Sequence, residues 1–271
     1  MKSHNIIFTK EITDGRIDGV IDHFDYIAHH SNSQLILNFE NVQNIDACGY
    51  AILCCLSDVL CEQRIQSKLD SLVGPIEKEF LENILIHKAK TGFLPIREMQ
   101  IETSEILVKG VELAIDPSFT DLLDHKFQNI LSEDKLWHVR LILHELMQNS
   151  LDHSTSERYF MYAGVAGNHF QFGVLDMGVS IPAKLEGKYQ CDSDIEYIEK
   201  SLEYEIGTRR SRHGGLGLNH MFNILKGQKG RLVLLSRYGQ LRRYFKSRKQ
   251  DKKQLKIPLR GTWCMARIPI D

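Results

Sequence analysis

The stretch from Leu141 to Ser154, Leu-Ile-Leu-His-Glu-Leu-Met-Gln-Asn-Ser-Leu-Asp-His-Ser, constrains the fold more than any other part of the chain. Leu141, Leu143 and Leu146 are apolar, and Met147 and Leu151 continue the run at helical spacing. Glu145 and Asn149 are four residues apart, so they share a face about one turn from each other, with Asp152 three beyond. A helix that buries its apolar side while two carboxylates and an amide leave from the other needs something for those polar groups to hold. Two short glycine-bearing stretches follow it, Asp176-Met177-Gly178 and Gly214-Gly215-Leu216-Gly217-Leu218.

At 271 residues the chain has room for one large or two ordinary domains. Its 42% hydrophobic and 25% charged content are those of a globular protein. A formal net charge of -1 gives no global pull toward nucleic acid or membrane. Apolar runs fall short of the ~18 residues of a spanning helix, and Met1-Lys-Ser-His-Asn lacks the apolar centre of a signal peptide. The cysteines (Cys48, Cys54, Cys55, Cys61, Cys191, Cys264) have no CxxC spacing, and several sit in apolar context. They read as reduced, buried thiols, and the expected location is the cytoplasm.

Strand and helix signals alternate, which argues an α/β layer arrangement. Gln34–Phe39 reads as a buried strand, Tyr50–Gln66 as a helix, Leu72–Ile76 as a strand end and Glu77–His87 as another helix. Residues 91–114 read as a linker or hairpin between an α/β domain at 1–90 and a second domain at 115–271. In the second, Asp116-Pro117 opens a helix running to about Leu131, with the proline where a missing N–H costs little. Ser132 caps a helix over 134–153. Tyr159–Gly164 and His169–Asp176 read as paired strands, Ile195–Tyr204 as a helix, and the glycine cluster as the entry to a helix ending near Leu225. Strands at 231–237 and 262–270 flank a basic insert.

With those motifs in place, residues 115–271 resemble the ATP-binding domain of the GHKL superfamily, which includes DNA gyrase, histidine kinases, heat-shock chaperone ATPases and anti-sigma-factor kinases. Glu145-x-x-x-Asn149 resembles the first box of that family, Asp176-Met177-Gly178 the start of the second, Gly215-Leu216-Gly217-Leu218 the third and Gly261-Thr262 the closing one. The resemblance implies a Bergerat-type α/β two-layer sandwich, a mixed sheet covered by helices, with ATP and Mg2+ as ligands. Asn149 is then the magnesium ligand. Glu145 is the base for a water or hydroxyl. Asp176 accepts from the adenine amino group, Gly178 lets backbone approach the base, and Thr262 bonds a phosphate or a water beside the adenine. Asp152 and His153 line the sugar and base side. Gly214, Gly215 and Gly217, with Leu216 and Leu218, present backbone N–H groups to phosphate at a helix start. Arg209, Arg210 and Arg212 steady the triphosphate from a lid. The second box departs from Asp-x-Gly-x-Gly at Ser180, which fits if its φ is negative.

Residues 1–90 are similar to STAS domains of anti-anti-sigma factors, through a buried strand, a turn, Ile45-Asp46-Ala47-Cys48-Gly49 and an apolar helix. The same strand, turn and helix also suit an ordinary α/β domain. Where STAS domains commonly carry a phosphorylatable serine this chain has Ala47 and Cys48, which implies a degenerate docking or regulatory module. The insert 237–256 holds Arg237, Arg242, Arg243, Lys246, Arg248, Lys249, Lys252, Lys253 and Lys256 with Tyr238, Tyr244 and Phe245 interleaved. It reads either as a patch for nucleic acid or an acidic partner, or as a solvated hairpin tip.

The function expected is an ATP-dependent switch that hydrolyses ATP or phosphorylates a partner protein on serine or threonine. The alternative is a non-catalytic ATP-binding module whose partner is the effector. Partner proteins, with operon neighbours first, and a second copy of the chain are the expected associates, without a membrane.

Overall fold

A computed structural model describes residues 3–29, 34–62, 67–70, 100–112, 116–153, 158–204, 206 and 217–271. The chain divides into two compact units, Met1–Gly110 and Val111–Asp271.

In the first unit, β1 (Ser3–Ile7), β3 (Gln34–Asn38) and β5 (Ser67–Asp70) form a parallel sheet in the order β1-β3-β5. Helices α1 (Ile17–His29) and α2 (Ala47–Glu62) make the crossovers that parallel neighbours require. A small parallel pair, β2 (Glu11–Ile12) with β4 (Asn44–Ile45), leads into α2. Ala47 to Asp58 are all buried, so α2 is enclosed on every side over its first three turns. Cys48, Cys54 and Cys55 lie there as buried thiols, as the sequence reading expects.

The Asp46/Gly49 pattern has a local cause. Asp46 Oδ1 accepts from Gly49 N at 2.8 Å, closing the helix start. A Cβ at Gly49 would lie 1.9 Å from the Ile12 carbonyl oxygen, so only glycine lets β2 and α2 approach this closely. The strand and helix expected over 72–87 lie outside the described residues.

The larger sheet has the order β10-β11-β9-β8-β7-β6. Its strands are β6 (Gln100–Glu102), β7 (Ile106–Glu112), β8 (Arg158–Ala166), β9 (His169–Asp176), β10 (Arg231–Tyr244) and β11 (Lys249–Pro269). Part of the expected linker is therefore a β6–β7 hairpin. The pairings β10–β11, β11–β9, β9–β8 and β7–β6 are antiparallel. Three of these follow from short turns: residues 103–105, Gly167-Asn168 and residues 245–248 join neighbours directly, and a short turn can only return a strand antiparallel.

Helix α3 (Pro117–Phe127) starts at Asp116, whose carboxylate accepts from Ser118 N, with Pro117 in the first turn. It ends a turn before Leu131. Ser132 then starts α4 (Glu133–His153), its hydroxyl accepting from Lys135 N at 3.3 Å. Leu136, Val139, Ile142, Leu143, Leu146 and Met147 form the buried face of α4. Between β9 and β10 come α5 (Ile181–Leu185), α6 (Asp194–Ser201) and α7 (Gly217–Gly227).

The basic insert is incorporated into the sheet. Extended, the residues of β10 would span roughly 45 Å. Yet Phe245 N donates to Gly230 O at 3.0 Å, and the Arg231 guanidinium lies over the Tyr244 ring, so the strand turns back on itself. The reversal sits at Arg237, where φ is 52° and the register shifts on both sides. The strand end expected at 237 thus coincides with the reversal, and the insert beyond it is paired strand, from Gly239 to Tyr244 against Lys249 to Gln254.

Candidate functional site

Helix α4 supplies the first group of side chains. Glu145 and Asn149 are half-buried on the side of α4 that faces the start of α7. A Cβ built on Gly217 would lie 2.7 Å from Glu145 Oε2 and 3.4 Å from Asn149 Nδ2. Glycine at 217 therefore leaves the space in which carboxylate and amide meet the helix start. Asp152, a turn further, is exposed and accepts from Gln148 Nε2 at 3.1 Å. His153 is the last residue of α4. Leu218 is half-buried in the first turn of α7. Arg209, Arg210, Arg212, Gly214, Gly215 and Leu216 lie outside the described residues.

The second group stands at the end of β9. Asp176 is buried, and its Oδ1 accepts from Gly178 N at 2.9 Å and Thr262 N at 3.3 Å. Oδ2 has no hydrogen bond among the described residues. Burial pushes the carboxyl up to about 7, against the two N–H groups that favour its charge. Gly261 has φ +81°, and a Cβ there would lie 2.1 Å from the Asp176 carbonyl oxygen. Both its conformation and the closeness of β9 require glycine.

Ser180 has φ -72° and ψ 157°, and its hydroxyl caps α5 through Ala183 N. That φ is the negative one the sequence reading asked of Ser180, and its side chain has a local role as a helix cap.

Both groups lie on the helix-covered side of the sheet. In the β9–β11 register Cys264 pairs with Val174, so Thr262 and Asp176, two residues along, project to the same face as Cys264. Cys264 Sγ is 3.4 Å from Met221 Sδ on α7, and α7 is the helix whose Gly217 meets Glu145. Burial first, then the nearby Asp176 carboxyl, raise the Cys264 thiol well above its usual range, so it is a neutral packing group.

Sequence reasoning missed Ser236 on β10. It is buried, and its Oγ accepts from Ile181 N at 2.8 Å, donates to Gly261 O at 3.0 Å and lies 3.0 Å from Thr262 Oγ1. A serine ending the apolar run Leu232–Leu235 was a signal that a hydroxyl would need buried partners.

Beyond it, Arg237 binds Asp194 through Nε–Oδ2 at 2.9 Å and Nη2–Oδ1, and also pairs with Glu186. Tyr238 N donates to the same Asp194 carboxylate at 2.9 Å. Burial works to raise the Asp194 carboxyl, but Arg237 and the Tyr238 N–H outweigh it and hold it below its usual range. Arg243, Gln250 and Lys252 converge on Glu199 of α6. These contacts tie α5 and α6 to the folded-back hairpin, and so use part of the insert's charge internally.

The described residues hold no cluster of three His, Cys, Asp or Glu side chains arranged for a metal. No described helix is long and apolar enough to cross a membrane. Comparisons with protein-family models, curated proteins and solved structures gave no match.

Proposed function

We propose that residues 115–271 are a GHKL-type ATP-binding domain of Bergerat architecture, and that residues 1–90 form a degenerate STAS-like module. The observation that carries this reading is the state of Asp176. One oxygen is held by two backbone N–H groups while the other has no bond among the described residues, on the sheet face that α7 covers. Such a carboxylate suits a ligand amino group, and adenine carries one. The meeting of Glu145, Asn149 and Gly217 supports a triphosphate on the same side.

The Glu145–Asn149–Gly217 cradle suits a hard cation held mainly by phosphate oxygens and water, with the Asn149 amide oxygen as its protein ligand. When bound, magnesium would supply neutralisation of phosphate charge. Glu145 would orient a water or a partner's serine or threonine hydroxyl and take its proton. The start of α7 would offer N–H groups to anionic oxygens. The activity proposed is ATP hydrolysis or phosphorylation of a partner protein, with partner affinity following nucleotide state.

Calorimetry with ATP and Mg2+ tests binding, and labelled ATP, with and without operon-neighbour proteins, tests turnover. The expected result is binding lost in Asn149→Ala, and phosphate release or a labelled partner lost in Glu145→Ala. Binding without turnover would mark a non-catalytic module, and no heat of binding would overturn the nucleotide reading.

A further inference from the structure

We infer that Ser236 is a positioning residue that sets which base the site prefers, by fixing the Thr262 hydroxyl as a hydrogen-bond acceptor toward the ligand. The inference rests on the nucleotide reading and concerns how that same site discriminates among bases.

Proton counting carries it. A serine hydroxyl has one proton and two lone pairs. Ser236 Oγ has three polar contacts: Ile181 N at 2.8 Å, Gly261 O at 3.0 Å and Thr262 Oγ1 at 3.0 Å. The Ile181 amide can only donate and the Gly261 carbonyl can only accept. The Ser236 proton therefore goes to Gly261 O, one lone pair takes the Ile181 N–H, and the other takes the Thr262 proton. The opposite assignment would send the Ser236 proton to Thr262 and leave two oxygens 3.0 Å apart at Gly261 with no proton between them. For a buried group that arrangement is unfavourable.

The consequence appears at Thr262. With its only proton committed to Ser236, its hydroxyl keeps lone pairs alone for anything on its other side. Asp176 lies on the same face, its Oδ1 bonded to Thr262 N and its Oδ2 without a bond among the described residues. Carboxylate and hydroxyl then form an acceptor pair that suits an exocyclic amino group. A carbonyl at the same position of the base would meet acceptors. Ser236 also ties the strand carrying Gly261-Thr262 to the loop after Gly178, since Ile181 N is its donor. It touches no ligand in this arrangement and acts through Thr262.

The test is the ratio of ATP to GTP affinity, measured by calorimetry on the full chain with Mg2+. Ser236→Ala leaves the Thr262 proton able to rotate, and the ratio is expected to fall about tenfold, or about 1.4 kcal/mol. Ser236→Thr keeps the hydroxyl and is expected to restore most of the ratio. Thr262→Val should lose the same factor, and adding Ser236→Ala to it should change the ratio no further. An unchanged ratio in Thr262→Val overturns the inference even if Ser236→Ala fails to fold. So does an additive effect in the double variant. Absence of ATP binding by the unaltered chain overturns the nucleotide reading and this inference together. Binding with base preference indifferent to Ser236 overturns this inference alone.

Discussion

Gly261 faces the backbone of Asp176 so closely that the smallest side chain at 261 would penetrate the carbonyl of the residue it supports. The contact is with backbone, which cannot swing away, and φ is +81°. Gly261→Ala therefore carries both a clash and left-handed strain. We expect a loss of roughly 2–4 kcal/mol, seen as a lowered midpoint in urea denaturation. A change under about 0.5 kcal/mol would mean that the strand shifts freely.

Gly217 makes the opposite prediction. Its hypothetical Cβ meets the end of the Glu145 side chain, a flexible group. Alanine in a helix is favoured over glycine by up to about 1 kcal/mol, so Gly217→Ala should leave thermal stability unchanged or slightly raised. The displaced carboxylate should lower nucleotide turnover at least about tenfold while the fold persists, an order set by the loss of a positioned general base. Parallel melting and turnover measurements check this, and a large fall in melting temperature would count against it.

The ionisation of Asp176 gives a pH signature. Its carboxyl, near 3.8 when exposed, is pushed up to about 7 by burial. Between those values the folded chain holds a proton that the unfolded chain has released. Its contribution to stability is therefore present at low pH and lost as pH rises toward 7. Asp176→Asn has no proton to lose, and its amide oxygen can still accept from Gly178 and Thr262. The variant should match the parent near pH 4 and exceed it by roughly 1–3 kcal/mol at pH 8. It should nonetheless lose ATP affinity, because an NH2 group replaces the second acceptor oxygen. Urea titrations at the two pH values, with calorimetry at pH 8, read both effects, and a pH-independent difference would sink the assignment.

Arg237 and Asp194 respond in the other direction. The Asp194 carboxyl is held below its usual range, so its contribution exists above the unfolded value and is lost as pH falls through the folded one. Arg237→Ala removes the partner of a buried carboxylate and is expected to cost about 2–3 kcal/mol at pH 7. Arg237→Gly should cost about 1 kcal/mol less, because glycine accepts a φ of 52° without strain. Equal costs for the two variants would show that the backbone at 237 relaxes once the guanidinium is gone.

The parts legible beforehand were those in which local chemistry and tertiary packing agree. The apolar periodicity of Leu141 to Leu151 identifies α4, and Ser132 and Pro117 mark helix starts that the structure shows. That both faces of β9 are buried was not legible in the run His169–Asp176, because burial depends on what lies across the sheet. The charged residues from 237 to 256 concealed two strands, since Arg237, Arg243 and Lys252 find carboxylates distant in sequence, Glu186 just after α5 and Asp194 and Glu199 on α6. Ser236 was invisible for a related reason: its meaning comes from register with Thr262 and from Ile181, neither of which is a sequence neighbour. Asp46 and Gly49 were noticed as a motif, and the structure shows a cap and a close packing contact there.

The reversal of β10 also bears on the order in which the second unit assembles. Gly230 and Phe245 meet across a short intervening chain, so closing that loop costs little entropy. The ladder between β9 and β11 must instead bring together strands separated by most of the unit, the slower kind of event. The meander from Arg231 to Gln254 is thus suited to form first and to act as a template on which β9, and with it Asp176, later docks.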